Sequence, residues 1–235
     1  MVKKHLKRIA APKTWNISRK ETTYVTKQFP GPHNMQYSMP LSLVIRELIK
    51  ASKTAKDAKL ILNTKDVFVD KRKRTEEKFA VGLMDIVEFP QLEERYRILL
   101  DNKGKLVAVS ATDKEAAHKL LRVESKTKIK GGKVQLNLSD GRNIIVEKDT
   151  YKTGDSIMIS LPDQKIVEHL KLDKNMLILL IGGSHAGIIA KAEEISADMI
   201  IIKTSKNQRA ETQKRYAFVV GADKPALDSI KQLMK

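Results

Sequence analysis

Residues 40–89 read PLSLVIRELIKASKTAKDAKLILNTKDVFVDKRKRTEEKFAVGLMDIVEF, and this stretch decides the fold of the first half of the chain. Between Leu41 and Ile49 the apolar residues recur at helical spacing, which predicts a helix with one buried face. Thr54 and Asp57 form a capping-box pattern that begins a second helix. That helix ends near Asn63, a residue type that tolerates the left-handed conformation in which helices often stop.

A basic tetrad follows the short strand predicted at Val67–Val69 and precedes another predicted strand, Gly82–Phe89. The tetrad consists of Lys71, Arg72, Lys73 and Arg74. Four adjacent cations repel one another and cannot be buried, so a solvated turn and an RNA contact carry about equal weight. Two short helices beside a basic turn suit RNA, because the helices offer a rigid polar face and the turn brings charge to phosphates.

This stretch resembles the S-four RNA-binding module of ribosomal proteins, pseudouridine synthases and heat-shock proteins. The resemblance rests on the R-x-x-L-type first helix, the second short helix, V-x-V-D at 67–70 and G-x-x-D-I-V at 82–87. The module usually carries Gly where this chain has Lys71. The resemblance implies that the basic turn and a helix face lie on RNA, and the helix-face cations are Arg46, Lys50, Lys53 and Lys56.

The chain of 235 residues suggests two or three small domains, and its net charge of +17 is a statement about partners. Nucleic acid or an anionic membrane could neutralise that charge. No apolar run approaches the roughly 20 residues that span a bilayer, and no secretory signal is present, so a membrane is disfavoured. The chain has no cysteine, which excludes disulfides and thiolate metal sites and indicates an intracellular protein. We expect no metal and no cofactor.

Residues 1–39 form a basic N-terminal arm without a periodic apolar face, which we expect to be disordered until RNA orders it. Its cations are Lys3, Lys4, Lys7, Arg8, Lys13, Arg19, Lys20 and Lys27. Trp15 lies among them, and packing on the next domain is somewhat favoured over stacking on a base. His5 and His33 have no metal-ligand partner at useful spacing and are retained as candidate RNA contacts. The Pro30–His33 turn and Trp15 are possible exceptions to the disorder.

The arm also carries a family signature: KKHLKRIAAPKTWNISRK at 3–20, PGPH at 30–33 and SMPL at 38–41. Together and in this order they resemble the N-terminal part of small-subunit ribosomal protein four of the e-type, shared by archaea and eukaryotes. The length is similar to that of archaeal members, since eukaryotic ones carry a further C-terminal extension. The resemblance implies that the arm contacts ribosomal RNA.

Residues 91–172 have the pattern of a central, mostly antiparallel β domain with turn signals between short strands. The predicted strands are 96–100, 105–109, 126–130, 134–138, 143–146, 157–160 and 166–170, with a helix at 112–121. Lys126, Lys128 and Lys130 alternate along their strand and therefore share a face. A solvated strand face and an RNA contact are about equally favoured for these three lysines.

Residues 173–235 begin with an apolar strand that enters the loop Gly183–Gly187. The loop lacks G-x-x-x-x-G-K-[ST] spacing and opens a strand, so it is not a phosphate loop of nucleotide hydrolases. It resembles the KOW motif of a small SH3-like barrel, with Ala190 at the position of the family's later Gly. We include the loop residues Ser184 and His185 as candidate RNA contacts. Strands at 199–203 and 216–220, a basic loop between them with Lys206, Arg209, Lys214 and Arg215, and a docked helix at 226–234 complete this segment.

The sequence therefore predicts a multidomain α+β protein of four segments: arm 1–39, S-four-like module 40–90, central β domain 91–172 and KOW barrel 173–235. The family resemblance implies a structural constituent of the small ribosomal subunit in the cytoplasm. Its implied partners are ribosomal RNA and neighbouring ribosomal proteins, with one monomer in the ribonucleoprotein. A pseudouridine synthase is disfavoured, because Gly141–Ile144 reads G-R-N-I and lacks the Asp of the G-R-L-D-type motif. A non-ribosomal regulator is the other alternative, and the arm argues against it.

Overall fold

The computed structural model describes residues 5–204 and 209–233, and Lys3, Lys4, Lys206 and Met234 lie outside these ranges. The chain divides into two compact units. The first comprises the described residues up to Leu99 together with Lys105–Ala116, and the second comprises Leu100–Gly104 and the residues from Ala117 onward. Short helices accompany sheets whose strand pairs are antiparallel, so the predicted α+β class is confirmed at this level.

Among its described residues the first unit has three sheets: a β1–β2 pair, a β3–β6 pair and a five-stranded sheet in the order β5-β4-β7-β8-β9. The strands are β1 Leu6–Lys7, β2 Tyr24–Val25, β3 Ser38–Pro40, β4 Phe68–Val69, β5 Arg72–Lys73, β6 Ala80–Gly82, β7 Ile86–Phe89, β8 Glu94–Leu100 and β9 Leu106–Ser110. The strands predicted near 96–100 and 105–109 therefore join the sheet of the first unit.

The two predicted helices lie beside this sheet. The first is a short α1, Leu41–Leu43, that continues as a π-helical segment, Val44–Leu48. It buries Leu41, Val44 and Ile45 of the predicted apolar face and gives way to a left-handed residue at Lys50, with φ +62°. The second, α2 at Ala55–Thr64, begins with the predicted capping box. The Thr54 amide donates to Asp57 Oδ2, and the Asp57 amide donates to Thr54 Oγ1, both at 3.1 Å.

The prediction of a single strand over Gly82–Phe89 is wrong. This range contains the end of β6 and all of β7, and a turn separates the two strands. Met84 adopts φ +68°, which no strand accommodates. Asp85 is buried there and accepts from the Gly82 amide at 2.9 Å and from the His33 ring at 2.9 Å. A Cβ on Gly82 would lie 2.3 Å from the His33 ring, so only glycine fits under that histidine.

The described part of the arm is folded, and the expectation of general disorder is corrected here. Trp15 is 1% exposed, and its Nε1 donates to the Ser38 carbonyl at 2.7 Å. The Leu106 amide donates to the Thr14 carbonyl at 2.7 Å, which ties the arm to β9. The favoured interpretation of Trp15, packing within the protein, is thus confirmed, whereas the docking of the rest of the described arm was not predicted because single anchors such as Ala11 occur without helical or strand periodicity.

Two five-stranded sheets build the second unit, in the orders β12-β11-β10-β13-β14 and β18-β17-β16-β15-β19. The first sheet contains β10 His118–Lys128, β11 Val134–Leu138, β12 Asn143–Val146, β13 Ser156–Ser160 and β14 Ile166–Leu170. The second contains β15 Leu177–Leu180, β16 Ile189–Ile195, β17 Met199–Thr204, β18 Arg209–Gln213 and β19 Ala217–Gly221. A core including Ile178, Ala192 and Ile202 packs inside the second sheet.

Two sequence predictions for this region are corrected. The helix at 112–121 is only α3, Asp113–Ala116, because the following residues pair with β13, as in Leu120 opposite Met158. Part of the predicted basic loop is β18, where Arg209 pairs opposite Lys203. A short terminal helix, α4 at Asp228–Leu233, lies within the predicted range and buries Ile230.

Candidate nucleic-acid interface

The basic tetrad begins in the tight turn of the β4–β5 hairpin and continues through β5 to the residue after it. Asp70 and Lys71 both adopt left-handed φ values, +50° and +63°, and the buried Asp70 carboxylate accepts from the Ile86 amide at 3.1 Å. Lys71 thus takes a left-handed backbone conformation that glycine adopts more readily than other residues. Its ammonium lies 2.7 Å from Glu88 Oε2, so part of its charge is already neutralised.

The other three cations of the tetrad differ in how freely they can meet a phosphate. Lys73 pairs with Asp66 at 2.5 Å, and Arg74 stacks over the Phe79 ring at 4.3 Å. Arg72 is exposed, and within the described residues its side chain has no hydrogen-bond or ion-pair partner. Of the four cations, Arg72 is therefore the one whose charge no contact within the described residues engages.

A cleft of about 910 Å³ opens in the first unit beside the π-helical segment. This volume lies within the range of about 300 to 1,000 Å³ that is common for ligand sites. Its walls carry three predicted residues, Arg46, Lys50 and Lys53. Arg46 pairs with Glu47 at 2.9 Å, whereas Lys50 and Lys53 are exposed. The fold thus gathers cations from the π-helical segment and the loop after it around one opening.

Tyr24 lies in the same cleft and was missed by the sequence analysis. Its side chain is 57% exposed, and the His5 ring lies 5.8 Å away, centroid to centroid. An exposed aromatic ring beside cations is the arrangement on which nucleic-acid bases stack. The sequence signal that could have identified Tyr24 is an aromatic residue inside a strongly basic segment. Trp15 fits the same description and was chosen as the candidate instead.

Arg8 forms the floor of this cleft and is not available to RNA. The residue is 2% exposed, and its Nη2 contacts Glu21 at 2.7 Å and Glu47 at 3.5 Å. Its Nε also donates to the Ser18 carbonyl. The expectation that Arg8 contacts RNA is therefore corrected, because its charge is used in holding the arm to the helix.

Other arm residues separate into exposed and structural groups. Lys7, Lys13 and Lys20 are exposed. Arg19 donates to the carbonyls of Ile9, Ala11 and Pro12, and half-buried Lys27 also has a partner. Trp15 is buried, and the His33 side chain is only 6% exposed and bonded to Asp85, so the expected RNA contacts of both are corrected. Lys56 is exposed on α2.

The predicted contacts of the second unit are dispersed. Lys126 pairs with Asp149 at 2.5 Å and donates to the Tyr151 carbonyl, while Lys128 and Lys130 are exposed. Lys130 lies beyond the end of β10, so the three lysines do not share a single strand face. In the loop after β15, Ser184 is exposed and His185 is half-buried.

A high content of basic residues does not by itself place them on the surface. Arg97 is fully buried, lies 3.3 Å from Glu115 Oε1 and donates to the Met84 carbonyl. Burial lowers the pKa of the Arg97 guanidinium, and the nearby Glu115 carboxylate opposes that shift. Arg97 thus joins β8 to α3 inside the first unit instead of facing a ligand.

Other classes of site have no support in the part of the chain that the structure describes. Over residues 5–204 and 209–233 no group of three or more His, Asp or Glu side chains is arranged to hold a metal ion. Within the same residues no helix has the length and apolar character needed to cross a bilayer. Exposed cations on a protein built of antiparallel sheets are typical of the nucleic-acid-binding class.

Comparisons with known proteins identify the family. The RS4NT domain model matches residues 2–36, and the model of ribosomal family S4e matches residues 92–166. The small ribosomal subunit proteins eS4 of Methanococcus vannielii and Methanocaldococcus jannaschii are each 40% identical over 238 residues, covering 96% of this chain and 97% of theirs. The chain belongs to the S4e family of ribosomal proteins.

A solved structure agrees with this assignment. The crystal structure of the 30S ribosomal protein S4e from Thermoplasma acidophilum matches with a TM-score of 0.70 and 32% identity. The match covers 79% of this chain and 96% of that one. The family predicted from the arm signature is confirmed. So is the prediction that the chain is not an enzyme, because the relatives are ribosomal proteins.

Proposed function

We propose that this chain is a structural constituent of the small ribosomal subunit that binds and stabilises folded ribosomal RNA and thereby supports translation. One observation carries the proposal: the 40% identity to small ribosomal subunit proteins eS4 extends over 96% of the chain. The protein then works in the cytoplasm as a monomer within the ribosome. Its partners are ribosomal RNA and neighbouring ribosomal proteins.

Charge neutralisation is the mechanism that fits the surface. Each Lys or Arg that meets a phosphate releases counterions, so affinity falls steeply as salt rises. A-form RNA hides its base edges in a deep major groove, and proteins recognise such helices mainly by shape and backbone. Exposed cations without ion-pair partners suit that role, and the ones that we assign to it in the first unit are Lys7, Lys13, Lys20, Lys50, Lys53, Lys56 and Arg72.

The finer domain assignment is part of this proposal. Residues 40–90 act as an S-four-like module, supported by the two helices and the β4–β5 hairpin. Residues 173–235 act as a KOW barrel, supported by the five-stranded sheet β18-β17-β16-β15-β19 and its apolar core. Residues 1–39 serve as the basic arm, and residues 91–172 as the central β domain, although its first two strands, β8 and β9, complete the sheet of the first unit.

The proposal predicts retention on small subunits and a steep salt response. We expect the protein to co-sediment with small subunits after a moderate salt wash, and its affinity for small-subunit ribosomal RNA to have a slope of several units in log K against log salt. Arg72→Ala should lower that slope by about one, because one phosphate contact is lost. Its free energy of unfolding should change by no more than about 0.5 kcal/mol, as for most surface substitutions.

Lys114→Ala is the matched control, because Lys114 is an exposed cation of the first unit outside the proposed interface. This control should leave the slope unchanged. A flat salt response of the unaltered protein, together with release from subunits at moderate salt, would contradict the proposed function. Equal effects of the two substitutions would contradict only the role of Arg72.

A further inference from the structure

A pair of adjoining clefts in the second unit contains cations that the interface described above does not use. The larger cleft, about 580 Å³, has Arg122 and Arg215 in its lining. The smaller, about 260 Å³, is lined in part by Lys126 and Lys152. Both include Lys214 and Thr153, so the two openings meet at these residues.

Arg122 is the unusual group of this site. It is 7% exposed, its Nη1 lies 2.7 Å from Glu124, and its Nη2 donates to the Lys214 carbonyl at a long 3.4 Å. Its Nε has no hydrogen-bond partner. Buried donors in native proteins are almost always paired, so an unpaired guanidinium nitrogen beside a cleft suits an anionic ligand.

The turn Lys152–Asp155 forms one wall and is held in place before any ligand arrives. Asp155 accepts from the Lys152 amide at 2.9 Å, from the Leu172 amide at 3.0 Å and from the His169 ring at 2.8 Å. Gly154 adopts φ +95°, and a Cβ there would lie 3.3 Å from Leu172. These donors satisfy the Asp155 carboxylate, which reduces its repulsion of an anion.

The balance of charge favours an anion. Five cationic side chains line the two clefts against three carboxylates, those of Glu124, Asp155 and Asp198. Glu124 is paired with Arg122, and Lys126 is paired with Asp149. Within the described residues, the side chains of Lys152 and Lys214 have neither a hydrogen bond nor an ion pair, so both are available to a ligand.

We propose that this double cleft binds a phosphate of the RNA backbone, with Lys152 and Lys214 as direct ligands and Arg122 as the cation beneath them. The inference rests on the proposed function, because ribosomal RNA supplies the phosphate. The larger cleft suits one phosphate and its sugar better than a stacked base, since no tryptophan or phenylalanine of the described residues lines it. It would give the second unit its own fixed contact with RNA.

The test uses the full chain with Lys152→Gln and Lys214→Gln combined. Binding to small-subunit ribosomal RNA is measured at several salt concentrations. We expect the slope of log K against log salt to fall by about one to two, since two phosphate-contacting lysines are lost. The control combines Lys165→Gln and Lys203→Gln, two exposed lysines of the same unit that line neither cleft, and it should leave the slope unchanged.

A second measurement identifies the source of the phosphate. The Arg122 Nε–H resonance is followed by NMR in the unaltered protein while small-subunit ribosomal RNA fragments, inorganic phosphate or ATP are added. We expect RNA fragments to shift it at concentrations at least a hundredfold lower than inorganic phosphate or ATP require, a margin of about 2.7 kcal/mol in binding free energy at 25 °C. Saturation by inorganic phosphate or ATP at concentrations as low as RNA would overturn the assignment to RNA.

The two proposals can fail separately. If the unaltered protein binds ribosomal RNA with a steep slope while the double variant and its control behave alike, the cleft proposal is wrong and the proposed function stands. If the unaltered protein itself binds with a flat slope and is released from small subunits at moderate salt, the proposed function is wrong. Thermal unfolding of both double variants shows whether any loss of affinity reflects loss of structure.

Discussion

At the scale of single residues, Lys71 combines a strained backbone conformation with a side-chain ion pair to Glu88. A non-glycine residue in the left-handed region costs on the order of 1 kcal/mol, and Lys71 has φ +63°. Both Lys71→Gly and Lys71→Ala remove the contact with Glu88, but only Lys71→Gly removes the strain. We therefore expect the glycine variant to be more stable than the alanine variant by about 1 kcal/mol.

Chemical denaturation of the two variants measures this difference directly. Because the same ion pair is lost in both, its energy cancels from the comparison. Equal denaturation midpoints and equal denaturant m-values for the two variants would mean that the hairpin relaxes to another conformation once the lysine is replaced. The same comparison at Arg72, which has negative φ, provides the baseline preference for alanine over glycine in a strand.

At the scale of elements, the loop between β15 and β16 depends on glycines for two different reasons. Gly183 has φ +81° and open space, because a Cβ added there would lie no closer than 3.7 Å to its nearest neighbour, Tyr216. Gly187 has φ +87°, and a Cβ there would lie 1.8 Å from the Asp101 carbonyl oxygen. Gly183→Ala should cost about 1 kcal/mol, whereas Gly187→Ala should cost more because the backbone must move as well.

Thermal unfolding of the two alanine variants gives the ranking. The Gly183 variant is the matched control, since it has the same substitution and the same sign of φ without the clash. A Gly187 variant as stable as the Gly183 variant would show that the turn at residues 101–104 can move away from the added Cβ at little cost in free energy. In that case the loop carrying Ser184 and His185 would not be fixed by packing on that turn.

At the scale of the whole molecule, docking of the arm gives the first unit a spectroscopic reporter. Trp15 is the only tryptophan in the chain and is buried. We expect blue-shifted emission from free protein and slow exchange of the Leu106 amide, which donates to the Thr14 carbonyl. Trp15→Ala should destabilise the first unit by about 3–5 kcal/mol, as large aromatic truncations in cores do.

Fluorescence quenching, hydrogen exchange and denaturation of the variant test this prediction together. Trp15→Phe is the conservative control, because it keeps most of the apolar volume and loses the Nε1 hydrogen bonds to the Ser38 and Met35 carbonyls. Emission typical of solvent-exposed tryptophan, with no change in stability on Trp15→Ala, would show that the arm is undocked in free protein. The coupled-folding expectation for residues 5–39 would then return.

The sequence by itself determined the family, the α+β class and several local features. The capping box at Thr54 and Asp57 and the apolar face of Leu41–Ile49 depend on neighbours within a few residues, so short-range rules find them. The arm signature identified the family because it is a matter of residue order and needs no geometry. The sequence also located the glycine-containing loops. It did not show that Gly187 is required because a Cβ there would clash with the Asp101 carbonyl.

Only the tertiary structure decided which cations face solvent. Arg8 meets Glu47, 39 positions away, and His33 meets Asp85, 52 positions away, and neither pairing leaves a local pattern. The same holds for residues 118–121, where pairing with β13 prevails over a local helix signal. Burial and charge pairing depend on groups distant in sequence. The sequence therefore shows which residues are basic, but it does not show which of them are accessible to RNA.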